Sequence, residues 1–224
     1  TQTIGITDGN GGCVDEDDLQ IINELTGKAL CIYNELKSLN GNLFKTTIGE
    51  FIDDPKYNLI LRNGNCTTTN DACTDASDVN NIVITIEDDN LSGLGIAALL
   101  LHEGIHAEIH RYVSRFESGV DPNNRERLFQ LYAFYKGWAD YKYDGNFNWK
   151  NEAHHYYMVE NYVNKIARAV RELDKNKHHL SHYMAYGWEG LREAGYTAKR
   201  LTETQDNQNY DLQSIVESST QICN

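Results

Sequence analysis

One apolar segment with polar residues inside it limits what this chain can fold into. Residues 97–109, AALLLHEGIHAEI, have the apolar spacing of a helix and contain His102, Glu103 and His106. Two imidazoles and a carboxylate in a buried helix cost free energy unless a partner satisfies them. The fold must therefore place a bound cation or polar side chains against this helix, and the simplest alternative to a cation is a pair of hydrogen-bonded core histidines.

The spacing of the three polar residues is that of a catalytic metal site. Residues four apart lie on one face of a helix, so His102 and His106 can direct ring nitrogens at the same ion. Glu103 projects about 100° around the axis from His102, where a base can take a proton from metal-bound water. The sequence thus predicts a Zn²⁺ site with His102 and His106 as ligands and Glu103 as the catalytic base.

The H-E-x-x-H motif resembles the active-site helix of the zincin metallopeptidases. Over about residues 50–192, HEGIHAEIHRYV and the later HYYMVENYVNKIA look together like a group of secreted bacterial metallopeptidases. The strand NIVITIEDD at 81–89 resembles the edge strand that lies over the zincin cleft and pairs with an extended substrate. The resemblance implies a zincin-like single domain that uses Zn²⁺ to hydrolyse a peptide or protein substrate.

His110 continues the histidine spacing but is predicted not to be a ligand. It lies eight residues beyond His102, about 12 Å along a straight helix, which is too far for both to bind one ion at about 2 Å. The metzincin branch instead has a His at the position that Tyr112 occupies here. We expect His110 to be a partly exposed helix residue.

The third protein ligand of a catalytic zinc is predicted in NEAHHYYM, residues 151–158. In the secreted group that this chain resembles, a His stands three residues before a Met, as His155 stands before Met158. Thermolysin-like zincins use a Glu within N-E-x-x-S-D, a pattern that Glu152 begins but the following residues break. We predict His155 as the ligand, Glu152 as the alternative and His154 as the next candidate. The other interpretation makes His154 and His155 surface residues.

Peptide hydrolysis also needs a hydrogen-bond donor for the oxyanion beside the metal. The segment LSHYMAYGW, residues 180–188, is rich in hydroxyl and imidazole donors. We select Tyr183 and Tyr186 as the catalytic donors. Because the chain has 14 tyrosines, a packing role in the core is the alternative for each of them.

Apolar periodicity predicts an α+β fold that is predominantly α, with a small sheet followed by a helical block that carries the metal site. The predicted helices span 15–39, 43–54, 95–116, 123–140, 149–174 and 180–195, and the predicted strands span 57–62 and 81–88. A long polar loop, 63–80, joins the two strands. We expect 1–14 to be a flexible mature N-terminus, 15–202 to be the domain, and 203–224 to be a polar tail that forms a docked helix or coil.

Charge and cysteine content favour a secreted protein that binds no nucleic acid. The formal net charge of −13 disfavours nucleic-acid and anionic-membrane partners. No apolar run reaches the roughly 20 residues of a membrane span. Of the five cysteines, Cys66 and Cys73 bracket a polar loop that can close as a disulfide. Because the chain does not begin with Met, we expect a removed signal peptide and a secreted or periplasmic location.

The function predicted from these features is that of a secreted zinc metallopeptidase. Two alternatives use the same residues. One is a zinc hydrolase of non-protein amides, such as a cell-wall peptide or a side-chain amide. The other is a toxin-like or binding module that retains the metal core for structure.

Overall fold

The computed structural model describes residues 20–39, 41–52, 54–66, 71–87, 91–135 and 149–223. The strands are β1 (Ile21–Glu24), β2 (Asn58–Asn63), β3 (Ala72–Asp75) and β4 (Asn81–Ile86). The helices are α1 (Gly27–Ser38), α2 (Asn42–Lys45), α3 (Gly93–Phe116), α4 (Arg125–Tyr135), α5 (Trp149–Asn161), α6 (Val163–Leu173), α7 (Met184–Gly187), α8 (Arg192–Thr197) and α9 (Glu203–Ser219). Single 3₁₀ turns lie at Ile48–Phe51 and Leu180–Tyr183. A small sheet followed by a larger helical block confirms the predicted α+β, predominantly α class.

The sheet is mixed and has the strand order β1-β2-β4-β3. β1, β2 and β4 run parallel, with Ile21 opposite Leu59 and Leu59 opposite Ile82, whereas β3 runs antiparallel to β4. The prediction that 81–89 forms an edge strand is therefore wrong, because β4 has a neighbouring strand on each side. Ile82 and Ile84 are fully buried, as expected of an interior strand.

The edge strand beside the helical block is β3. It lies inside the segment 63–80, for which the sequence predicts only a loop. The prediction missed β3 because ACTD is short and polar and lacks a clear alternation of apolar residues. Pairing with β4 holds the strand, and a disulfide between Cys66 and Cys73 confirms the link expected from their spacing.

The first helix begins later than its predicted span, 15–39. Ile21 pairs with β2 as part of β1, so the helix starts only at Gly27. Helix α1 then turns one apolar face to the core, with Ala29, Ile32, Tyr33 and Leu36 buried. Residues 1–19, which include the predicted flexible N-terminus, lie outside the described part of the chain.

The predicted helix 43–54 is shorter than expected and is divided. It consists of α2 and the 3₁₀ turn Ile48–Phe51. Of the predicted helix 123–140, the structure describes α4, and 136–148 lie outside the described residues. The predicted helix 149–174 is two helices, α5 and α6, which meet at Tyr162.

The C-terminal segment is also divided into short elements. The span 180–195 contains a 3₁₀ turn, α7 and most of α8. At Gly187 the backbone approaches the carbonyl of Val163 so closely that a side chain does not fit. The polar tail forms helix α9, which begins with a capping box of Thr202 and Gln205.

Helix α3 is the central element of the fold. Ser92 caps its N-terminus by accepting a hydrogen bond from the backbone N–H of Gly95 at 3.1 Å. The helix packs against β3 and β4 and also against α1, α4 and α6. Every residue from Ile96 to Arg111 is buried. A helix covered on all sides must have its polar residues satisfied by neighbouring elements or by a ligand.

One buried charge on α3 is satisfied by the protein itself. The guanidinium group of Arg111 donates from Nε to Glu108 at 2.8 Å, from Nη1 to Asp54 at 2.6 Å and from Nη2 to Glu50 at 3.0 Å. These contacts fasten α3 to the segment that follows α2. They form a closed cluster in which each donor atom of the guanidinium group has a carboxylate partner.

A second disulfide joins the two ends of the described chain. Cys31 on α1 bonds to Cys223, a separation of 192 residues along the sequence. A disulfide typically stabilises a fold by about 2–4 kcal/mol. The remaining cysteine, Cys13, lies outside the described residues. None of the helices in the described part of the chain is both long and apolar enough to cross a bilayer.

Candidate metal centre

His102 and His106 lie on successive turns of α3 and are both buried. Their Nε2 atoms are 3.1 Å apart. Two nitrogen ligands bound at about 2.0–2.1 Å to a tetrahedral ion are about 3.3 Å from each other. The separation in this helix is therefore close to the one that a shared zinc ion requires, and it also suits a hydrogen bond between two neutral imidazoles.

Helix α5 brings His155 to the same place. One ring nitrogen from each of His102, His106 and His155 forms a group whose atoms all lie within 4.8 Å of one another. The ring of His155 is 5.4 Å from that of His102 and 5.1 Å from that of His106, measured between centroids. The helix that carries Glu152 is described but its side chain is not, so that alternative ligand lies outside the described atoms.

Burial keeps the two α3 histidines uncharged. Burial, followed by the charge of His155, lowers the pKa of His102 to about 3. Burial and the neighbouring His102 hold the pKa of His106 well below 6.5. A histidine must be neutral to bind a metal through a ring nitrogen. At neutral pH, protons therefore do not compete with an ion for these two side chains.

Glu103 is buried beside the histidine group rather than within it. Its side chain lies against β3, where the hydroxyl of Thr74 donates to Oε2 at 2.6 Å. The same hydroxyl lies 3.2 Å from the backbone carbonyl oxygen of Glu103. Burial raises the pKa of the Glu103 carboxyl group, although Thr74 and His155 act in the opposite direction. The edge strand thus fixes the orientation of the carboxylate.

Two further histidines lie behind the group. His154 is 1% exposed, and its Nδ1 is 3.1 Å from Nδ1 of His106. The ring of His110 is 5.3 Å from that of His154, at an angle of 73°. With 7% of its surface exposed, His110 is not the partly exposed residue that we expected. The interpretation of His154 as a surface residue is also wrong, since helices α3 and α5 cover it.

Tyr183 and Tyr186 do not join the histidine group. The hydroxyl of Tyr183 donates to Asp174 at 2.7 Å, and that of Tyr186 donates to Glu217 at 3.4 Å. Tyr186 lies at the N-terminal end of α3, close to Gly93. That position is about 13 Å of helix rise from His102. These tyrosines hold the C-terminal helices to the core, which is the alternative role considered for each.

Sequence reasoning missed Thr74 and gave His154 a different role. Thr74 is a single polar residue in a segment that reads as a loop, and no sequence signal connects it with Glu103. His154 was predicted only as a candidate metal ligand, after His155 and Glu152, and its contact with His106 was not predicted. His102, His106 and His110 are spaced four residues apart. This spacing was the sequence feature that could have predicted further histidines next to the metal group.

Comparison of the chain with profiles of protein families, with curated proteins and with solved structures finds no match.

Proposed function

We propose that this protein is a secreted zinc metallopeptidase in which Glu103 is the general base. The observation that carries this proposal is the group of His102, His106 and His155, whose ligand nitrogens lie within 4.8 Å of one another. A catalytic zinc site has three protein ligands and one open position. Three converging histidines beside a buried carboxylate meet that requirement, and H-E-x-x-H is the arrangement used by the zincin metallopeptidases.

Zinc is the ion that best suits these donors. Imidazole nitrogens bind zinc and other transition metals, whereas magnesium and calcium select oxygen ligands. When bound, zinc supplies an acidic water molecule and polarises the scissile carbonyl group. His102, His106 and His155 would hold the ion, and their neutral rings leave its positive charge uncompensated, which favours both effects.

Glu103 moves the proton in this proposal. Its carboxylate accepts a proton from the attacking water and donates it to the leaving amine. The burial that raises the Glu103 pKa makes the carboxylate a stronger base than a solvent-exposed glutamate. Because the hydroxyl of Thr74 donates a hydrogen bond to Oε2, we assign the proton transfer to the other carboxylate oxygen, Oε1.

Strand β3 supports a peptide or protein as the substrate. It lies at the end of the sheet order and carries Thr74, which contacts Glu103. An extended peptide that adds to a sheet edge forms backbone hydrogen bonds along it. A peptide bound to β3 in this way would run past Glu103. The two disulfides support a secreted or periplasmic protein, because such bonds persist in oxidising compartments.

The substitution Glu103→Gln tests the role of the base. The amide keeps the shape of the side chain but cannot accept the proton, so kcat/KM should fall by roughly 10²–10⁴-fold while bound zinc stays at one ion per chain. Zinc is measured by atomic spectroscopy, and activity is measured on a fluorogenic peptide library. Glu193→Gln, at an exposed position on α8, is the matched control and should change neither quantity.

The possible outcomes separate the parts of the proposal. Normal cleavage by Glu103→Gln would show that another group is the base. A wild-type protein without zinc after reconstitution would contradict the metal site itself. Zinc binding without cleavage of any library peptide would instead favour a non-protein amide as substrate or a binding role.

A further inference from the structure

His106 uses both of its ring nitrogens in contacts with other histidines. Nε2 lies 3.1 Å from Nε2 of His102, and Nδ1 lies 3.1 Å from Nδ1 of His154. A neutral imidazole has one N–H donor and one bare nitrogen that accepts. The tautomers of these three rings are therefore linked, because the donor on one ring determines the acceptor on the next.

Metal binding through the group on α3 selects one set of tautomers. If Nε2 of His106 binds an ion, its lone pair is used and the ring proton resides on Nδ1. Nδ1 of His154, at 3.1 Å, lies within hydrogen-bond distance of that Nδ1–H. His154 must then accept at Nδ1 and hold its own proton on Nε2.

We infer that His154 is a positioning residue, which holds His106 in the tautomer that exposes Nε2 to a metal. This inference rests on the metal site of the proposed function. Metal-bound histidines usually donate their second N–H to a carboxylate, a backbone carbonyl or a water. Here a neutral imidazole takes that place, so it orients His106 without adding negative charge to the site.

The burial of His154 suits this role. The residue is 1% exposed, so water does not compete for the acceptor nitrogen. Its Nε2 atom has no hydrogen-bond partner among the described residues, and the same is true of Nδ1 of His110. The two rings meet edge to face at 5.3 Å. His110 therefore packs against His154, and its Nδ1 makes no hydrogen bond to a ligand nitrogen.

Zinc affinity measured by competition with a chelator tests the inference. His154→Leu removes the acceptor and should weaken zinc binding by roughly 10–100-fold, the usual effect of losing such a partner. His154→Asn can present its Oδ1 at the position of Nδ1 and should stay within about threefold of the wild type. His110→Leu is the matched control, because His110 is also buried and packs against His154, and it too should stay within about threefold.

Each result decides between defined outcomes. Wild-type affinity in His154→Leu overturns the inference while leaving the metal site intact. Equal losses in His154→Leu and His110→Leu overturn it as well, because they indicate general repacking. A wild-type chain that binds no zinc removes the metal site, and the inference fails with it.

A measurement on the wild type does not depend on whether the variants fold. Ring ¹⁵N chemical shifts distinguish the two neutral tautomers of histidine. In the zinc-bound protein, His106 should carry its proton on Nδ1 and His154 should carry its proton on Nε2. A proton on Nδ1 of His154 in that state overturns the inference.

Discussion

Helix α3 carries two buried polar regions that the fold satisfies in different ways. One is the Arg111 cluster, which contains Glu50, Asp54 and Glu108. It pairs every donor atom of one guanidinium group with a carboxylate. The other is the histidine row, which contains His102, His106, His110, His154 and His155. Burial keeps His102, His106, His110 and His154 uncharged, and nitrogens of His110 and His154 have no partners among the described residues.

This difference separates a structural cluster from a candidate binding site. A buried ion pair is stable only when its charges and hydrogen bonds are complete, and the Arg111 cluster is complete without any ligand. Neutral imidazoles packed against one another gain little from their mutual contacts. Their value lies in the lone pairs that they direct at a common point. We therefore expect substitutions in the first region to change stability, and substitutions of His102, His106, His154 or His155 in the second region to change metal binding.

The largest expected effect is that of Arg111→Met on stability. Removing the guanidinium group leaves Asp54 and Glu108 buried without their cation, which should lower the free energy of unfolding by about 3–5 kcal/mol. Urea unfolding of the chelator-treated protein measures this. Arg111→Lys keeps the charge and should recover part of the loss. A change below about 1 kcal/mol would show that the cluster is not the complete, stabilising unit described here.

The second expected effect is a loss of stability at mildly acidic pH in the metal-free protein. Burial holds the pKa of four histidines below the unfolded value of 6.5, to about 3 for His102, about 4 for His110 and well below 6.5 for His106 and His154. As the pH falls through 6.5, the unfolded chain takes up protons that the folded chain excludes, so stability is lost and continues to fall toward the folded pKa values. Between pH 7 and pH 6 the loss should be about 0.7 kcal/mol for each histidine, or about 2–3 kcal/mol together.

Asp54 of the Arg111 cluster should contribute nothing to that pH dependence. Burial alone would raise the pKa of Asp54, but hydrogen bonds from the Lys56 backbone and from Arg111 hold it below 3.8. Its protonation therefore begins only in more acidic solution. Urea unfolding at the two pH values measures the difference, and His110→Leu should reduce it by about 0.7 kcal/mol. If the unfolding free energy is the same at pH 7 and pH 6, these four histidines are not kept neutral in the folded protein.

The smallest expected effect concerns Glu103, the carboxylate beside the histidine row. Thr74→Val removes the hydroxyl that donates to Glu103 but keeps the shape of the side chain. If Glu103 is the base, kcat should fall by about tenfold, near 1.4 kcal/mol, with little change in KM, because substrate binding does not use this hydroxyl. Thr74→Ser retains the donor and should behave like the wild type. Equal kcat values for Thr74→Val and Thr74→Ser would remove Thr74 from the proposed mechanism.

The sequence predicted the α3 part of the site better than the rest. His102, Glu103 and His106 belong to one helix, so their relative positions follow from local geometry alone. The choice of His155 depended on a motif four residues long, His155 to Met158, and the structure brings His155 to the other two histidines. For Tyr183 and Tyr186, the residue type indicated a hydrogen-bond donor but did not indicate its partner. The sequence does not distinguish a tyrosine that donates to Asp174 from one that donates to a substrate.

By itself, the sequence determined the predominantly helical class, the buried character of α3 and the common face of His102 and His106. These properties depend on the period of the helix and on hydrophobic burial, which neighbouring residues specify. Only the tertiary structure decided that β3 is the edge strand, that Thr74 holds Glu103 and that His154 supports His106. Thr74 and Glu103 are 29 positions apart, and His106 and His154 are 48 positions apart. These contacts form because sheet pairing and helix packing bring distant segments together, and the local sequence of one segment does not specify its contacts with the other.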